Sequence, residues 1–484
     1  MHALIILKIL GLLLMLFSML GNIPPILVSL FYDDGMIMPF LQSMSIIFGS
    51  GLTMWLMSLR SKAELNTRDG FLIVTLFWIV LGTAGSLPFI FSPLVSLSYT
   101  DSIFESLSGL TTTGATVISG LDFLPKSILF YRQLLQWLGG MGIIVLAMAL
   151  LPMLGIGGMQ LYRAESPGPV KDNKLLPRLA ETAKALWYIY LALTLLCALA
   201  YWASGMPAFD AISHSLSTIA IGGFSTHDAS LGYFNSPSID LVAIIFMIIA
   251  GVNFALHFTA WQQKKVKHYF LDSEFQFYTF ILAVISLITI TMLSKFEVYS
   301  TIEETIIKGA FQVVSFATTT GFATAEYSSW PLFLPYILLY VAIVGACAGS
   351  TGGGMKVIRI LLIFKQGFRE IQRLIHPKAI IPIKLGRHAV SDRVIEAVWG
   401  FFAVYVMAFM LILLALLATG LDIVTAFSAV GACINNLGPG LGSISSTYGH
   451  IPDPAKWVLC LAMLLGRLEI FTLLVLFTPM FWRR

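Results

Sequence analysis

Four short loops, each centred on a glycine, recur along this chain at nearly constant spacing. The loop sequences are TTTGAT, AIGGFST, TTTGFAT and NNLGPG. Their aligned glycines are Gly114, Gly223, Gly321 and Gly438, which stand 109, 98 and 117 residues apart. In the first three copies a serine stands six residues before the glycine. Four copies at such a spacing indicate an internal repeat, so we expect the same arrangement of structural elements in each copy.

The surroundings of these loops are strongly apolar. Hydrophobic residues make up 57% of the 484 residues and charged residues only 11%, whereas a soluble domain carries roughly 25% charged residues. The composition therefore predicts a polytopic membrane protein. Lipid offers irregular backbone no hydrogen-bond partner, so loops at membrane depth must be buried in protein or line a watery cavity.

The apolar segments give the predicted architecture, since a span needs about 20 apolar residues. Two spans precede the repeats, and each repeat then has a long helix, a short helix, the glycine loop and a second long helix. We expect an all-α protein of ten spans and four re-entrant hairpins, with four parallel repeats around one pore. The expected units are residues 1–66 for the two extra spans, then 67–160, 178–268, 272–376 and 388–484 for the repeats.

The distribution of basic residues among the loops predicts the orientation of the chain in the membrane. With ten spans drawn, most lysines and arginines fall on one side of the membrane, including Arg60, Lys62 and Arg68 and the cluster from Lys365 to Arg393. The opposite loops hold few cations, such as Lys126 and Lys295. The positive-inside rule then places both termini in the cytoplasm and the glycine loops in the outer half of the membrane.

The glycine loops have the composition of a cation filter. Rings of backbone carbonyls can replace the hydration shell of a cation, and the C-terminal ends of four short helices would add partial negative charge. Glycine permits backbone angles that turn carbonyls inward. The two residues before each glycine should carry the innermost carbonyls: Thr112 and Thr113, Ile221 and Gly222, Thr319 and Thr320, Asn436 and Leu437. The alternative is that the four glycines only form turns.

These loops resemble those of the Trk/Ktr/HKT superfamily of potassium transporters, and the rest of the chain resembles its bacterial TrkH subfamily. The matching stretches are FYRQLLQWLGGMGIIVLA, GGMQLYRAESPGP, GACAGSTGGGMKVIRILL and LLGRLEIFTLLVLFTP. The resemblance implies potassium-selective uptake across the bacterial inner membrane. It also implies a homodimer, a cytoplasmic nucleotide-binding partner of the TrkA type, K⁺ as the transported ion, and no organic cofactor. Glycine in all four copies favours potassium, while the departures of the second and fourth loops from the threonine-rich pattern predict weaker selectivity than in a symmetric filter.

A second glycine-rich stretch interrupts the last span of the third repeat. Five of the ten residues from Gly345 to Gly354 are glycine: Gly345, Gly349, Gly352, Gly353 and Gly354. Each costs a helix interior about 1 kcal/mol relative to alanine, so we expect an interruption, and the resemblance implies an intramembrane gating loop. The alternative is a helix-packing face, since Gly345 and Gly349 form a GxxxG pair. A phosphate-binding loop is excluded, because Met355 separates the last glycine from Lys356.

Arg467 lies near the middle of the last predicted span and has only apolar residues three and four positions away. We expect its guanidinium in the wet pore, where it would set the flux. If it instead holds helices together, Glu105 and Glu396 are the acids to consider as its partners. Glu105 itself and Arg132 are interpreted as structural residues.

Two other classes of function are considered. A secondary transporter would have inverted repeats and midplane sites, whereas these repeats all begin from the same basic side. Transport coupled to protons or sodium remains the alternative function. An intramembrane enzyme would need a nucleophile with a base, and the sequence contains neither an HExxH nor a GxSxG motif. We therefore expect no enzymatic activity and no nucleic-acid partner.

Overall fold

The computed structural model describes residues 2–59, 66–142, 179–386 and 388–483. Several sequence features lie outside these residues. They are the GGMQLYRAESPGP stretch, the end of the second span of repeat one, and the basic residues Arg60, Lys62, Arg163, Lys171, Lys174, Arg178, Arg387 and Arg484.

Two long helices precede the repeats and pack against each other as an antiparallel pair. They are α1 (Ala3–Tyr32) and α2 (Ile37–Met57). Their backbones come very close at Gly11 and Gly51, since a Cβ built on either glycine would fall within 2.7 Å of the carbonyl oxygen of the other. Small residues allow this kind of close helix approach in membranes, where packing replaces the hydrophobic effect as the force between helices.

The four repeats follow the predicted plan, and the all-α fold with parallel repeats is confirmed. Repeat one has α3 (Thr67–Ala84), α4 (Leu87–Phe91), the pore helix α5 (Tyr99–Leu110) and α6 (Lys126–Trp137), which continues as a π-helical turn over Leu138–Gly142. Repeat two has α7 (Leu179–Ala203), the pore helix α8 (Ala208–Ala220), α9 (Pro237–Ala250), α10 (Phe254–Gln263) and the short α11 (Lys267–Leu271).

The third and fourth repeats have the same order of elements. Repeat three has α12 (Ser273–Lys295), the pore helix α13 (Ile302–Ala317), α14 (Leu334–Val344) and α15 (Val357–Ile375), followed by a small antiparallel hairpin of β1 (Lys384–Leu385) and β2 (His388–Ala389). Repeat four has α16 (Asp392–Ala418), the pore helix α17 (Ile423–Ile434), α18 (Asp453–Arg467), α19 (Phe471–Leu474) and α20 (Pro479–Trp482).

The spans are less continuous than the sequence suggested. Among the described residues, six helices are long and apolar enough to cross a membrane, and eight if two bent pairs are counted as one span each. The bends are 91° between α9 and α10 and 107° between α18 and α19 with the turn that follows it. The expected continuous second spans of repeats two and four are therefore wrong. Gly251 opens the first break, and Glu469 and Ile470 adopt positive φ in the second.

A buried ion pair lies within repeat one, and its arginine also bonds to repeat two. The Arg132 Nε donates to the Glu105 carboxylate at 2.8 Å, and both side chains are inaccessible to solvent. The other guanidinium nitrogens donate to Thr116 Oγ1 and to the Ser225 carbonyl, each at 3.0 Å, and the group stacks over the Phe224 ring. Both charges are thus fully paired and hydrogen-bonded, as a buried pair requires.

We expect Arg132→Gln to destabilise the protein by about 3–5 kcal/mol, because it leaves the Glu105 carboxylate buried without a cation. Unfolding of the purified protein in detergent measures the effect. Arg373→Gln is the control, since Arg373 pairs with Glu370 on an exposed helix face, where such a pair contributes less than about 1 kcal/mol. Equal loss in the two variants would contradict a structural role for the buried pair.

Candidate ion pathway

Side chains at the start of the pore helices fix where these helices begin. The Ser98 hydroxyl accepts from the Asp101 amide in α5, and Thr301 and Asp422 accept in the same way in α13 and α17. These are N-cap bonds, which satisfy amides that a helix start would otherwise leave unpaired. The C-terminal ends of the four helices, with their partial negative charge, lead directly into the glycine loops.

The backbone of the four loops repeats one pattern. The residue two positions before the glycine and the glycine itself both have positive φ, with 58° and 78° in the first loop, 56° and 79° in the second, 64° and 85° in the third, and 53° and 95° in the fourth. The first members of these pairs are Thr112, Ile221, Thr319 and Asn436. Asparagine tolerates this region, but Thr112, Ile221 and Thr319 are of types that rarely adopt it, and such backbone strain is concentrated at functional sites.

A hydrogen bond orients the residue between these two positions. Its amide donates to a carbonyl in the last turn of its own pore helix, at 2.8 to 2.9 Å in all four loops. The donors are Thr113, Gly222, Thr320 and Leu437, and the acceptors are Ser108, Ser217, Ser315 and Ala432. Because a trans peptide holds its N–H and C=O in opposite directions, the carbonyl of the preceding residue points away from the helix.

The four loops meet in a closed ring. A Cβ built on Gly114 would overlap the carbonyl oxygen of Gly222, which precedes the glycine of the next loop. The same contact relates Gly223 to Thr320, Gly321 to Leu437, and Gly438 to Thr113. The loops thus follow one another in chain order around an axis, and all twelve predicted filter residues lie together in this ring.

Each neighbouring pair of loops is also joined outside the ring, repeats one and two through the bond from Arg132 to the Ser225 carbonyl described above. The Gly232 amide donates to the Ala323 carbonyl at 3.1 Å, between repeats two and three. The Tyr327 hydroxyl donates to Gly440 at 2.7 Å, between repeats three and four, and the Tyr448 amide donates to Thr116 at 2.8 Å, which returns to repeat one. These bonds fix the position of each loop relative to its neighbours.

A charged cluster lies beside the second loop, beyond the ring. His227 stacks on Tyr233 with 3.5 Å between ring centres and pairs with the carboxylates of Asp122, from repeat one, and Asp210. Burial lowers the pKa of His227, but the two carboxylates outweigh it and raise the pKa above its ordinary value. The cluster therefore favours a protonated histidine bridging repeats one and two.

The glycine-rich stretch of repeat three is a loop on the side of the ring where the pore helices end. Helix α14 ends at Val344 and α15 begins at Val357. Gly345, Gly349 and Gly354 have φ near +73°, while a Cβ on Gly352 or Gly353 would collide with the carbonyl of Thr318 or Asn435. The helix-packing alternative is therefore wrong, because these residues are not helical. Each of the five glycines is instead required by a positive φ or by a close backbone contact.

This loop, residues 345–356, contacts the ends of three pore helices. The Thr351 hydroxyl donates to the Ile219 carbonyl of α8 at 2.9 Å, the Gly353 amide to Thr319 Oγ1 at 2.7 Å, and the Gly354 amide to the Asn435 carbonyl at 3.1 Å. The loop thus lies directly against repeats two, three and four beneath the ring.

Other bonds hold the loop from below. The Cys347 amide donates to the Gly251 carbonyl in the break between α9 and α10, at 3.0 Å. Glu274, which is buried near the start of α12, accepts from the amides of Ala348 at 2.7 Å and Ile358 at 3.2 Å. One carboxylate oxygen thus connects the loop to the first turn of the helix that follows it.

Arg467 connects this loop to repeat one. Its guanidinium donates to the Thr351 carbonyl and to Thr112 Oγ1, each at 3.4 Å, and also to the carbonyls of Gly139 and Gly140 in the π-helical turn. The expected mid-helix position is wrong, because α18 ends at Arg467. A cation is favourable at a helix C-terminus, and the backbone carbonyls of Thr351, Gly139 and Gly140 all accept from this guanidinium.

The acids considered as partners of Arg467 lie elsewhere. Glu105 pairs with Arg132, as described above, and Glu396 is exposed on α16. Glu469, two residues after Arg467, pairs with Arg359, whose guanidinium also stacks over Phe401. Lys356 is buried at the end of the loop and donates to the Gly352 carbonyl. Among the described residues, three cations thus lie near this loop, one of them paired with Glu469: Lys356, Arg467 and the paired Arg359.

Comparison with known proteins decides the family. Residues 38–484 match the family model described as "TrkH: Cation transport protein". The chain belongs to the TrkH family of cation transport proteins. It is 58% identical over 479 residues to the Trk system potassium uptake protein TrkH of Halomonas elongata, which covers 99% of both chains. It is 56% identical to the TrkH protein of Escherichia coli K12, with 100% of both chains covered.

A solved structure agrees with the fold. The crystal structure of the potassium transporter TrkH from Vibrio parahaemolyticus aligns with a TM-score of 0.91 and 54% identity, and the match covers 100% of both chains. The TrkH fold is thus shared over the whole length. The relatives are named as transport proteins, which agrees with a function other than enzymatic catalysis.

Sequence reasoning missed three residues that hold the pathway together in this TrkH-family chain: Gln136, Glu274 and Thr351. Gln136 donates to the Gly222 carbonyl, and Glu274 and Thr351 hold the glycine-rich loop. Gln136 could have been found from its pattern, because Arg132, Gln133 and Gln136 form one polar face on an apolar segment. Glu274 and Thr351 had no such signal, since an acid or threonine near a span end is ordinary.

We expect Gly114→Ser, and equally Gly223→Ser or Gly321→Ser, to lower the K⁺/Na⁺ permeability ratio about tenfold, equivalent to about 1.4 kcal/mol. The added Cβ would displace the neighbouring carbonyl oxygen from the ring. Competition between the two ions in a flux assay measures the ratio.

Gly120→Ser is the matched control for these variants. Gly120 has φ +75°, close to the +78° of Gly114, but a Cβ there would meet nothing within 4 Å. Backbone strain is therefore the same while the overlap is absent. Unchanged ratios in all three filter variants, or an equal fall in Gly120→Ser, would contradict the carbonyl ring.

Proposed function

We propose that this protein takes up potassium across the bacterial inner membrane through the ring of four loops, with the glycine-rich loop of repeat three as its gate. The ring of backbone carbonyls is the observation on which this proposal depends. The relatives described above are named as Trk system potassium uptake proteins, which supports K⁺ as the transported ion.

The ring supports cation selectivity by its chemistry. The carbonyls of Thr113, Gly222, Thr320 and Leu437 each adjoin the glycine of another loop, so four partial negative charges converge on one axis. The pore-helix ends behind them add to the same potential. Such a site can replace water around a cation without a carboxylate, and the number and orientation of its carbonyls set the preference among ions.

The loop at residues 345–356 supports a gate at this position. It bonds to three pore-helix ends and is fastened to repeat one through Arg467. The nearby cations Lys356 and Arg467 disfavour a potassium ion below the ring while the loop is in place, whereas the Glu469 carboxylate offsets the charge of Arg359. Moving the loop would remove the steric barrier and displace the Lys356 charge, and a segment with two arrangements is a common switch element.

We also propose an orientation in the membrane and two protein partners. The basic loops favour a cytoplasmic location for both termini, so the gate would face the cytoplasm and the ring the outside. A second copy of the chain and a cytoplasmic nucleotide-binding subunit of the TrkA type are the partners we propose. The subunit would act by moving the gate, since the gate is the element nearest the cytoplasm.

Uptake of K⁺ and its congener Rb⁺ into liposomes that contain the purified protein tests the function. We expect both ions to enter down their gradients and to exceed Na⁺, with or without an imposed proton gradient. Strict dependence on a proton or sodium gradient would favour the coupled-transporter alternative, and absence of K⁺ flux from folded protein would overturn the proposal.

If the loop at 345–356 is the gate, two variants should change the basal K⁺ flux. Deletion of residues 350–353 removes the bonds to Ile219 and Thr319, and Arg467→Gln removes the link to repeat one. We expect each to raise basal K⁺ flux severalfold and to weaken control by the regulatory subunit, with selectivity retained. Their combination should add little, because both release the same loop.

Arg373→Gln again serves as the control, since Arg373 lies on α15 away from the loop. Folded deletion and Arg467 variants that remain as tightly closed as the unmodified protein would contradict the gate. Reduced flux in Arg467→Gln would instead mean that the guanidinium supports the open pathway.

A further inference from the structure

The second filter loop lacks an anchor that other loops have. In loops one and three the residue before the filter glycine is a threonine, and its hydroxyl bonds at 2.8 Å to that of Thr111 or Thr318. In loop two the corresponding residue is Gly222, so two glycines stand in succession. Glycine has the largest backbone freedom, so this loop has the greatest need of an outside support.

The Gln136 side chain occupies the space that the missing side chain leaves. Its Nε2 donates to the Gly222 carbonyl at 2.5 Å, and its Oε1 accepts from the Phe224 amide at 3.1 Å. The amide is fully buried, and a Cβ built on Gly222 would overlap it. One side chain thus bonds to the backbone on both sides of Gly223.

Gln136 belongs to a polar face of α6 that lies along this loop. Gln133 donates to the Phe224 carbonyl at 3.1 Å, and Arg132 donates to the Ser225 carbonyl at 3.0 Å. Residues at i, i+1 and i+4 of a helix can share such a face. Of the three, only Gln136 reaches a carbonyl of the ring itself.

We propose that Gln136 is a specificity-determining positioning residue, whose amide holds the Gly222 carbonyl in the ring and thereby maintains discrimination between K⁺ and Na⁺. This rests on the proposed function. Selectivity depends on how many carbonyls converge and how firmly they are oriented. Without the amide, two successive glycines could turn the peptide between them, and the ring would keep only three oriented carbonyls.

The test is the K⁺/Na⁺ permeability ratio of Gln136→Met in liposomes, with Gln133→Met as the matched control. Methionine keeps the length of glutamine and removes both hydrogen bonds. We expect Gln136→Met to lower the ratio about tenfold while K⁺ flux persists, and Gln133→Met to lower it less than twofold. A folded Gln136→Met with the unmodified ratio, or an equal fall in both variants, would overturn the proposal.

A change from the loop side gives an independent test. Gly222→Ala should also lower the ratio, because its methyl group displaces the amide, and a folded Gly222→Ala with the unmodified ratio would equally overturn the proposal. In Gln136→Ala combined with Gly222→Thr, the threonine fills the vacated space, so we expect the double variant to be more selective than either single one. Failure of the proposed function would give a different result from failure of the Gln136 proposal, because the unmodified protein itself would then carry no K⁺.

Discussion

Backbone polar groups at membrane depth find no water, so every irregular segment there must be satisfied by protein or face a cavity. This chain contains irregular backbone in all four repeats: the glycine loops, the π-helical turn at 138–142, the breaks after α9 and α18, and the loop at 345–356. These segments form hydrogen bonds to one another's backbone. Arg467 bonds to the π-helical turn and to the loop, and the loop bonds to the break after α9.

The same constraint accounts for the contacts between the ring and the loop at 345–356. The loop at 345–356 uses pore-helix ends as hydrogen-bond partners, since Thr351 donates to Ile219 and Gly354 to Asn435. If the loop moved, those carbonyls would need water or an ion in place of the amides and hydroxyl that they lose. Any movement of this loop is therefore coupled to hydration of the carbonyls that it leaves, by the need to satisfy the backbone.

Much of the fold could be predicted from the sequence because it repeats. The glycines at 114, 223, 321 and 438 mark equivalent positions, and the structure gives all four a positive φ. The breaks after α9 and α18 could not be predicted, because Gly251 is a single glycine in an apolar run and Glu469 and Ile470 have no helix-breaking character. The position of Arg467 at a helix end followed from that second break. Gln136 and Glu274 act across repeats, and one sequence does not say which helix faces which loop.

In the proposed function the carbonyls of Thr113, Gly222, Thr320 and Leu437 converge on one cation. Anomalous diffraction from crystals grown in Rb⁺ or Tl⁺ tests this most directly, because both ions substitute for K⁺ and scatter anomalously. We expect an anomalous peak on the axis of the ring, in contact with these four oxygens, and a weaker peak in Gly114→Ser. Protein that transports Rb⁺ but shows its ordered peaks elsewhere, with none at the ring, would contradict it.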